Sequence, residues 1–90
     1  MQMGDYDEAM EIYTPVLKQA EDFGDVYGMG IILSNIGTVH VSRGDSGKAL
    51  EHLEKSLVIQ KEIGLGANNL IWVTLYIYLA YKQLAKDYDI

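Results

Sequence analysis

Gly44-Asp45-Ser46-Gly47-Lys48-Ala49-Leu50-Glu51 echoes Gly4-Asp5-Tyr6-Asp7-Glu8-Ala9-Met10-Glu11, forty residues earlier. The same shift superposes Leu17 on Leu57, Gly24 on Gly64 and Ile31 on Ile71. These identities fall at turn glycines and apolar positions, where a structural unit used twice would need them. A period of roughly 20–50 residues marks a solenoid, whose units bury their apolar faces against one another. Such an architecture points to binding or scaffolding rather than catalysis.

Glycines cluster at Gly24 to Gly30, Gly44 to Gly47 and Gly64 to Gly66, dividing the chain into helix-length segments over 5–23, 29–43, 46–63 and 68–86. In the third segment Ala49, Leu50, Leu53, Leu57 and Ile63 recur at helical spacing, with Glu51, Glu54, Lys55 and Lys61 on the other side. Asp45 or Ser46 can cap its start, and Gly64 suits the left-handed residue that ends it. The first segment has the same design: Asp5 and Glu8 have capping-box spacing, and Ala9, Met10, Tyr13 and Leu17 form the apolar stripe. Pro15 is discordant, and either kinks one helix or stands first in a fresh helix capped by Thr14. In the second segment Ile32, Leu33, Ile36, Val39 and His40 share a side with Gly37, whose missing side chain would admit a neighbouring helix.

Composition narrows the function. The chain has 90 residues, is 49% hydrophobic and carries a formal net charge of −6 with a pI near 4.6. Seven Lys and Arg are too few to furnish a phosphate-binding face, so no nucleic-acid partner is expected. There is no cysteine, which removes disulfides, thiolate metal sites and a cysteine nucleophile. Met1-Gln2-Met3-Gly4-Asp5 lacks the basic and apolar regions of a signal peptide. The apolar stretch Leu70 to Tyr81 is shorter than the roughly 18–20 residues that cross a bilayer. A cytoplasmic chain without a membrane partner is the expectation.

Leu33-Ser34-Asn35-Ile36-Gly37-Thr38-Val39-His40, then Arg43-Gly44-Asp45, then Lys48-Ala49-Leu50-Glu51-His52-Leu53-Glu54-Lys55-Ser56-Leu57 resembles one tetratricopeptide repeat. In that family each unit is a pair of antiparallel helices, A and B. Small residues stand where Gly37, Ala49 and Ser56 fall, and larger apolar ones near Leu33, Ile36 and Leu53. The period exceeds the usual ~34 residues and resembles the extended variety. The resemblance implies an all-α, TPR-like array of about four helices. Residues 1–24 would be helix B of a partial repeat, 25–64 a full A/B repeat and 65–90 helix A of another. After Ala67 the helix A register has two alternatives one residue apart, with either Ile77 or Tyr78 opposite Gly37. Three repeats usually complete a core, so the chain is expected either to belong to a longer array or to self-associate through its ends.

In the family the inner groove is lined by helix A. Carried over, the partner-binding positions would be Ile31, Ser34, Asn35, Thr38, Val41 and Ser42, with Leu75, Leu79 and Lys82 from the last helix. Asn35 falls where some members hold a peptide backbone or terminal carboxylate, but the accompanying basic residues are missing. A groove of Ser, Thr and aliphatic side chains would suit an apolar or neutral extended segment. Trp72, Tyr76, Tyr78 and Tyr81 surround much of the last helix and are candidates for a homo-oligomer interface, since buried interfaces favour Trp and Tyr.

No catalytic, cofactor or metal site is expected. His40 and His52 lack a third ligand, and His40 reads as packing and His52 as surface. Ser42 replaces the first glycine of a phosphate-binding loop before Gly47-Lys48, and Ala49 replaces its Ser or Thr. Asp5, Asp7, Glu8 and Glu11 read as a solvated helix start, and Ser34 and Ser42 lack an activating triad.

Overall fold

The computed structural model describes residues 3–64 and 67–88, and every element in them is a helix: α1 (Met3–Phe23), α2 (Val26–Ser42), α3 (Ser46–Glu62) and α4 (Ala67–Tyr88). The breaks are set by backbone chirality. Gly24, Gly44 and Gly64 adopt φ of 68°, 80° and 72°, a region costly for any residue with a Cβ. After α1, Asp25 N–H donates to Ala20 O at 2.8 Å; after α2, Asp45 N–H donates to His40 O at 2.8 Å. Both are Schellman closures, in which the residue beyond the left-handed glycine reaches back five positions. The Gly-Asp dipeptide thus ends one helix and positions the start of the next.

Asp25 caps α2 by accepting the Gly28 N–H at 2.9 Å. This moves the start of α2 to Val26, three residues ahead of the expected 29, so Gly28 and Gly30 lie inside the helix rather than in a break. Asp45 occupies the corresponding position before α3 but makes no side-chain cap bond. The start of α1 at Met3 places Asp5 in the first turn instead of at the cap. Helix α1 is continuous through Pro15, so the single-helix alternative holds and Thr14 does not begin a second.

Helix α2 is the centre of the array. It packs against α1, α3 and α4; α3 also packs on α4, while among the described residues the α1 and α3 backbones do not approach closely. The molecule is 18 Å across its thinnest dimension, about two helix diameters. One layer holds α2 and α4; the other holds α1 and α3. Close approach of α2 and α3 depends on Gly37. A Cβ there would stand 2.5 Å from Leu53 Cγ and 2.6 Å from its Cδ2. Leu53 and Ala49 are completely buried, joined by Leu50, Val73 and Ala80, with Leu57, Tyr76, Ile77 and Leu84 packed around them. Leu33, Ile36 and Val39 extend the core along α2 towards Ala20 of α1.

The forty-residue translation is visible in tertiary contacts. Tyr6 Oη donates to Ser42 O at 3.1 Å, tying the start of α1 to the end of α2. Its counterpart Ser46 donates through Oγ to Gln83 Oε1 at 2.7 Å, tying the start of α3 to the end of α4. Burial fixes the register of α4. Leu33 and His40 are buried on α2, and Val73 and Ala80, forty residues on, are buried on α4. Ile77 is therefore the counterpart of Gly37.

Candidate partner-binding groove

Between α2 and α4, over the buried floor made by α3, lies a cavity of about 340 Å³. Ile31, Ser34, Asn35 and Thr38 form one wall, Trp72, Val73 and Tyr76 the other, and Leu53 and Gln60 rise from α3. The i, i+3, i+4, i+7 spacing of the α2 residues puts them on a single helical face. Trp72 and Tyr76, one turn apart on α4, stack with ring centroids 6.4 Å apart at 27°.

The polar groups in the groove are oriented by the helices that carry them. Ser34 Oγ donates to Ile31 O at 2.7 Å, and Thr38 Oγ1 donates to Ser34 O at 2.9 Å. Each hydroxyl has spent its proton on its own helix, leaving lone pairs for a ligand. The Asn35 carboxamide has no hydrogen-bond partner among the described residues. Gln60 is 1% exposed, and its Nε2 donates to Ser56 Oγ at 2.6 Å, with a longer reach of 3.4 Å to Gly30 O. Ser56 Oγ in turn donates to Gly30 O at 2.6 Å. Because Ser56 spends its proton on that carbonyl, it must accept from Gln60, which fixes the amide orientation. Gln60 Oε1 is left buried with no partner.

Not every position carried over from the sequence meets in this cavity. Val41 packs against the core, and Ser42 offers its carbonyl to Tyr6. Leu75 borders a separate shallow depression with Leu70, Ile71 and Thr74. Leu79 and Lys82 line no part of the groove between α2 and α4. The reason is the repeat itself: Ile71, Thr74, Leu75 and Tyr78 are the counterparts of Ile31, Ser34, Asn35 and Thr38. They occupy the leading side of α4, whereas the groove with α2 is closed by the trailing side.

The four aromatics proposed for self-association likewise do not share a face. Trp72 and Tyr76 wall the groove, Tyr81 Oη donates to Glu54 Oε1 at 2.8 Å, and Tyr78 is exposed. The Glu54 carboxylate, as hydrogen-bond partner and as a negative charge, raises the Tyr81 pKa above the ordinary phenol value. Gln60 was missed because a Gln inside an amphipathic helix ordinarily reads as surface. Its spacing of four from Ser56, on the stripe that includes Leu53, was the available signal.

On the opposite layer a cleft of about 580 Å³ separates α1 from α3, lined among others by Leu17, Met29, Leu33, Val58 and Ile59. His40 and His52 pack with ring centroids 5.2 Å apart beside the α2–α3 turn. His40 is 7% exposed with Nδ1 unpartnered, while His52 donates from Nδ1 to Lys48 O at 2.8 Å. Burial first, then His52, holds the His40 pKa below its usual value; Lys48 and Arg43 act in the same direction and Asp45 opposes them. Among the described residues no group of three or more His, Cys, Asp or Glu could hold a metal. No described helix is long and apolar enough to cross a membrane.

The tetratricopeptide repeat family model matches residues 1–62. The chain belongs to the tetratricopeptide repeat family. It is similar to the photosystem I assembly protein Ycf3 of Rippkaea orientalis, 37% identical over 81% of this chain and 40% of that protein. It is also similar to Ycf3 of Synechococcus elongatus, 37% identical over 93% of this chain and 47% of that protein. A transcriptional activator, NprA of Geobacillus stearothermophilus, is 27% identical over 94% of this chain and 20% of its own length. The chain thus spans less than half of each of these relatives. No solved structure matches it. Membership of the family, with Ycf3 among the relatives, supports a protein-interaction scaffold with protein partners.

Proposed function

We propose that this chain is a non-catalytic interaction module that holds an extended segment of another polypeptide in the groove between α2 and α4. The observation that carries the reading is the convergence there of an unpaired Asn35, acceptor-only Ser34 and Thr38, and a stacked Trp72–Tyr76 wall over a buried floor. Concave sites with a few fixed polar groups among apolar walls are the common form of a ligand site. The likeness to assembly proteins supports a partner that is itself a component of a larger complex, and the likeness to an activator supports the same module serving different partners.

Peptide display tests this directly. Nine-residue peptides selected on the native chain should be lost on Thr38→Arg and Ser34→Arg, whose side chains fill the groove while leaving helicity unchanged. Retention of the selected peptides by both variants would refute groove binding.

Self-association is a second reading, favoured by the exposed apolar side chains on both outer helices. Ile12 and Phe23 are 63% and 78% exposed on α1, and Ile71 and Tyr78 are 63% and 59% exposed on α4. Light scattering coupled to size exclusion decides it: a strict monomer across a hundred-fold concentration range removes this reading.

A further inference from the structure

We infer that the segment held in the groove presents an arginine, with its guanidinium over the Trp72–Tyr76 stack and its N–H groups directed at the oxygens of Ser34, Thr38 and Gln60. The inference rests on the groove reading above and adds the chemistry of the occupant.

Three observations select it. The first is hydrogen-bond polarity. Ser34 and Thr38 have committed their protons to their own helix, and the Gln60 amide is held by Ser56 with Oε1 left over, buried and unpartnered. A side chain without N–H donors would cover the Ser34 and Thr38 oxygens and leave them unsatisfied, and would do nothing for the Gln60 oxygen, which is already buried. The second is the aromatic wall. Trp72 is 59% exposed and stacked on Tyr76, offering a flat π surface at the mouth where a planar cation packs while keeping part of its hydration. The third is charge. No Lys or Arg lines the groove, and the chain as a whole carries −6, so a carboxylate would find no cation there and, beyond the Asn35 amide, would meet the Ser34 and Thr38 acceptors and repulsion. Arginine joins an apolar stem for Ile31 and Val73, five donors in a fixed plane and a positive charge. Lysine offers the charge without the plane.

Residue types alone suggested a neutral segment. The direction in which the hydroxyls point changes that conclusion, and direction is a property of the folded helix.

Trp72 is the sole tryptophan, so its emission reports on the groove alone. The experiment titrates the native chain with four capped peptides, acetyl-Gly-Leu-X-Leu-Gly-amide, with X as arginine, citrulline, norleucine or glutamate. The arginine peptide should shift Trp72 emission and bind at least ten-fold more tightly than the norleucine and glutamate peptides. Citrulline, which keeps the plane and part of the N–H donors but replaces the rest with a carbonyl and loses the charge, should fall between. Thr38→Val and Gln60→Leu should each weaken the arginine peptide several-fold while leaving the norleucine peptide unchanged. The half-buried Thr38→Val keeps the test intact if Gln60→Leu impairs folding.

Equal binding of norleucine or glutamate overturns the arginine assignment and leaves the groove reading standing. Silence of Trp72 to all four peptides also overturns it; the groove reading is then judged on the display experiment alone.

Discussion

Replacing Gly37 with alanine sets two opposing effects against each other at one site, and the structure says which is larger. In a helix interior alanine is favoured over glycine by about 0.8–1 kcal/mol. At Gly37, however, the added Cβ would lie 2.5 Å from Leu53 Cγ, 2.6 Å from Leu53 Cδ2 and 3.4 Å from Ala49 O. Leu53 cannot swing aside, since it is completely buried between α2, α3 and α4. Overpacking of this kind typically costs about 1–3 kcal/mol. The two effects leave Gly37→Ala net destabilising, by about 1–2 kcal/mol if the overpacking lies towards the upper half of that range. In a chain of this size each kcal/mol lowers the melting temperature by roughly 4–8 °C. Gly47→Ala supplies the control, because a Cβ there meets nothing within 4 Å and the change should be neutral or stabilising. The decisive measurement is a double-mutant cycle by urea denaturation. Leu53→Ala alone should cost about 2–5 kcal/mol. In the Leu53→Ala background the obstructing atoms are gone, and Gly37→Ala should become neutral or stabilising, giving a coupling of about 1–3 kcal/mol. Additivity within about 0.5 kcal/mol, or a Gly37→Ala variant as stable as Gly47→Ala, would refute the close-approach argument.

Gly44→Ala should cost about 1–2 kcal/mol, read as a lower urea midpoint, because residue 44 sits at φ 80° and its new Cβ would also stand 3.2 Å from Gln83 Nε2. Ser56→Ala should cost about 1–3 kcal/mol by thermal melt, since it removes the bond to Gly30 O and strips the Gln60 amide of its acceptor. The His40 pKa is depressed in the folded state, so the unfolded chain binds the proton first as pH falls. Its effect on stability is absent well above the unfolded value of about 6.5 and becomes a loss as pH drops below it. The melting temperature should therefore decline from pH 7.5 to 5.5 more steeply in the native chain than in His40→Phe; parallel curves would refute the linkage.

The fold was legible because its determinants are local. Left-handed glycines, the aspartates that follow them and a stripe such as Ala49, Leu50, Leu53 and Leu57 leave their mark within a few residues, and the forty-residue period multiplies that mark. Even the small residue at Gly37 could be read as a site of helix approach, since a glycine amid large apolar neighbours has few other uses. What escaped the sequence depends on direction. A shift of helix start from 29 to Val26 required knowing that the Asp25 carboxylate turns to the Gly28 N–H. Ile31, Ser34, Asn35 and Thr38 were identified together because they lie on one face of one helix. Their opposite wall was placed on Leu75, Leu79 and Lys82, when the structure supplies Trp72, Val73 and Tyr76. That difference follows from a feature of any translational array: an A helix has a leading and a trailing side, and a groove needs one of each. Carrying the α2 positions forty residues onward yields the leading side of α4 again, so a rule that locates one wall by repetition cannot locate the other. The opposing wall must be read from residues that pack towards the preceding unit, and in this chain those are the aromatic pair. The same logic applies to Gln60. Its place in the floor arises because Ser56, one turn earlier, anchors it against the backbone of a neighbouring helix. A polar residue becomes part of a site here through what the adjacent unit presents to it, which is why chemistry in a repeat array is settled between units while the fold is written within them.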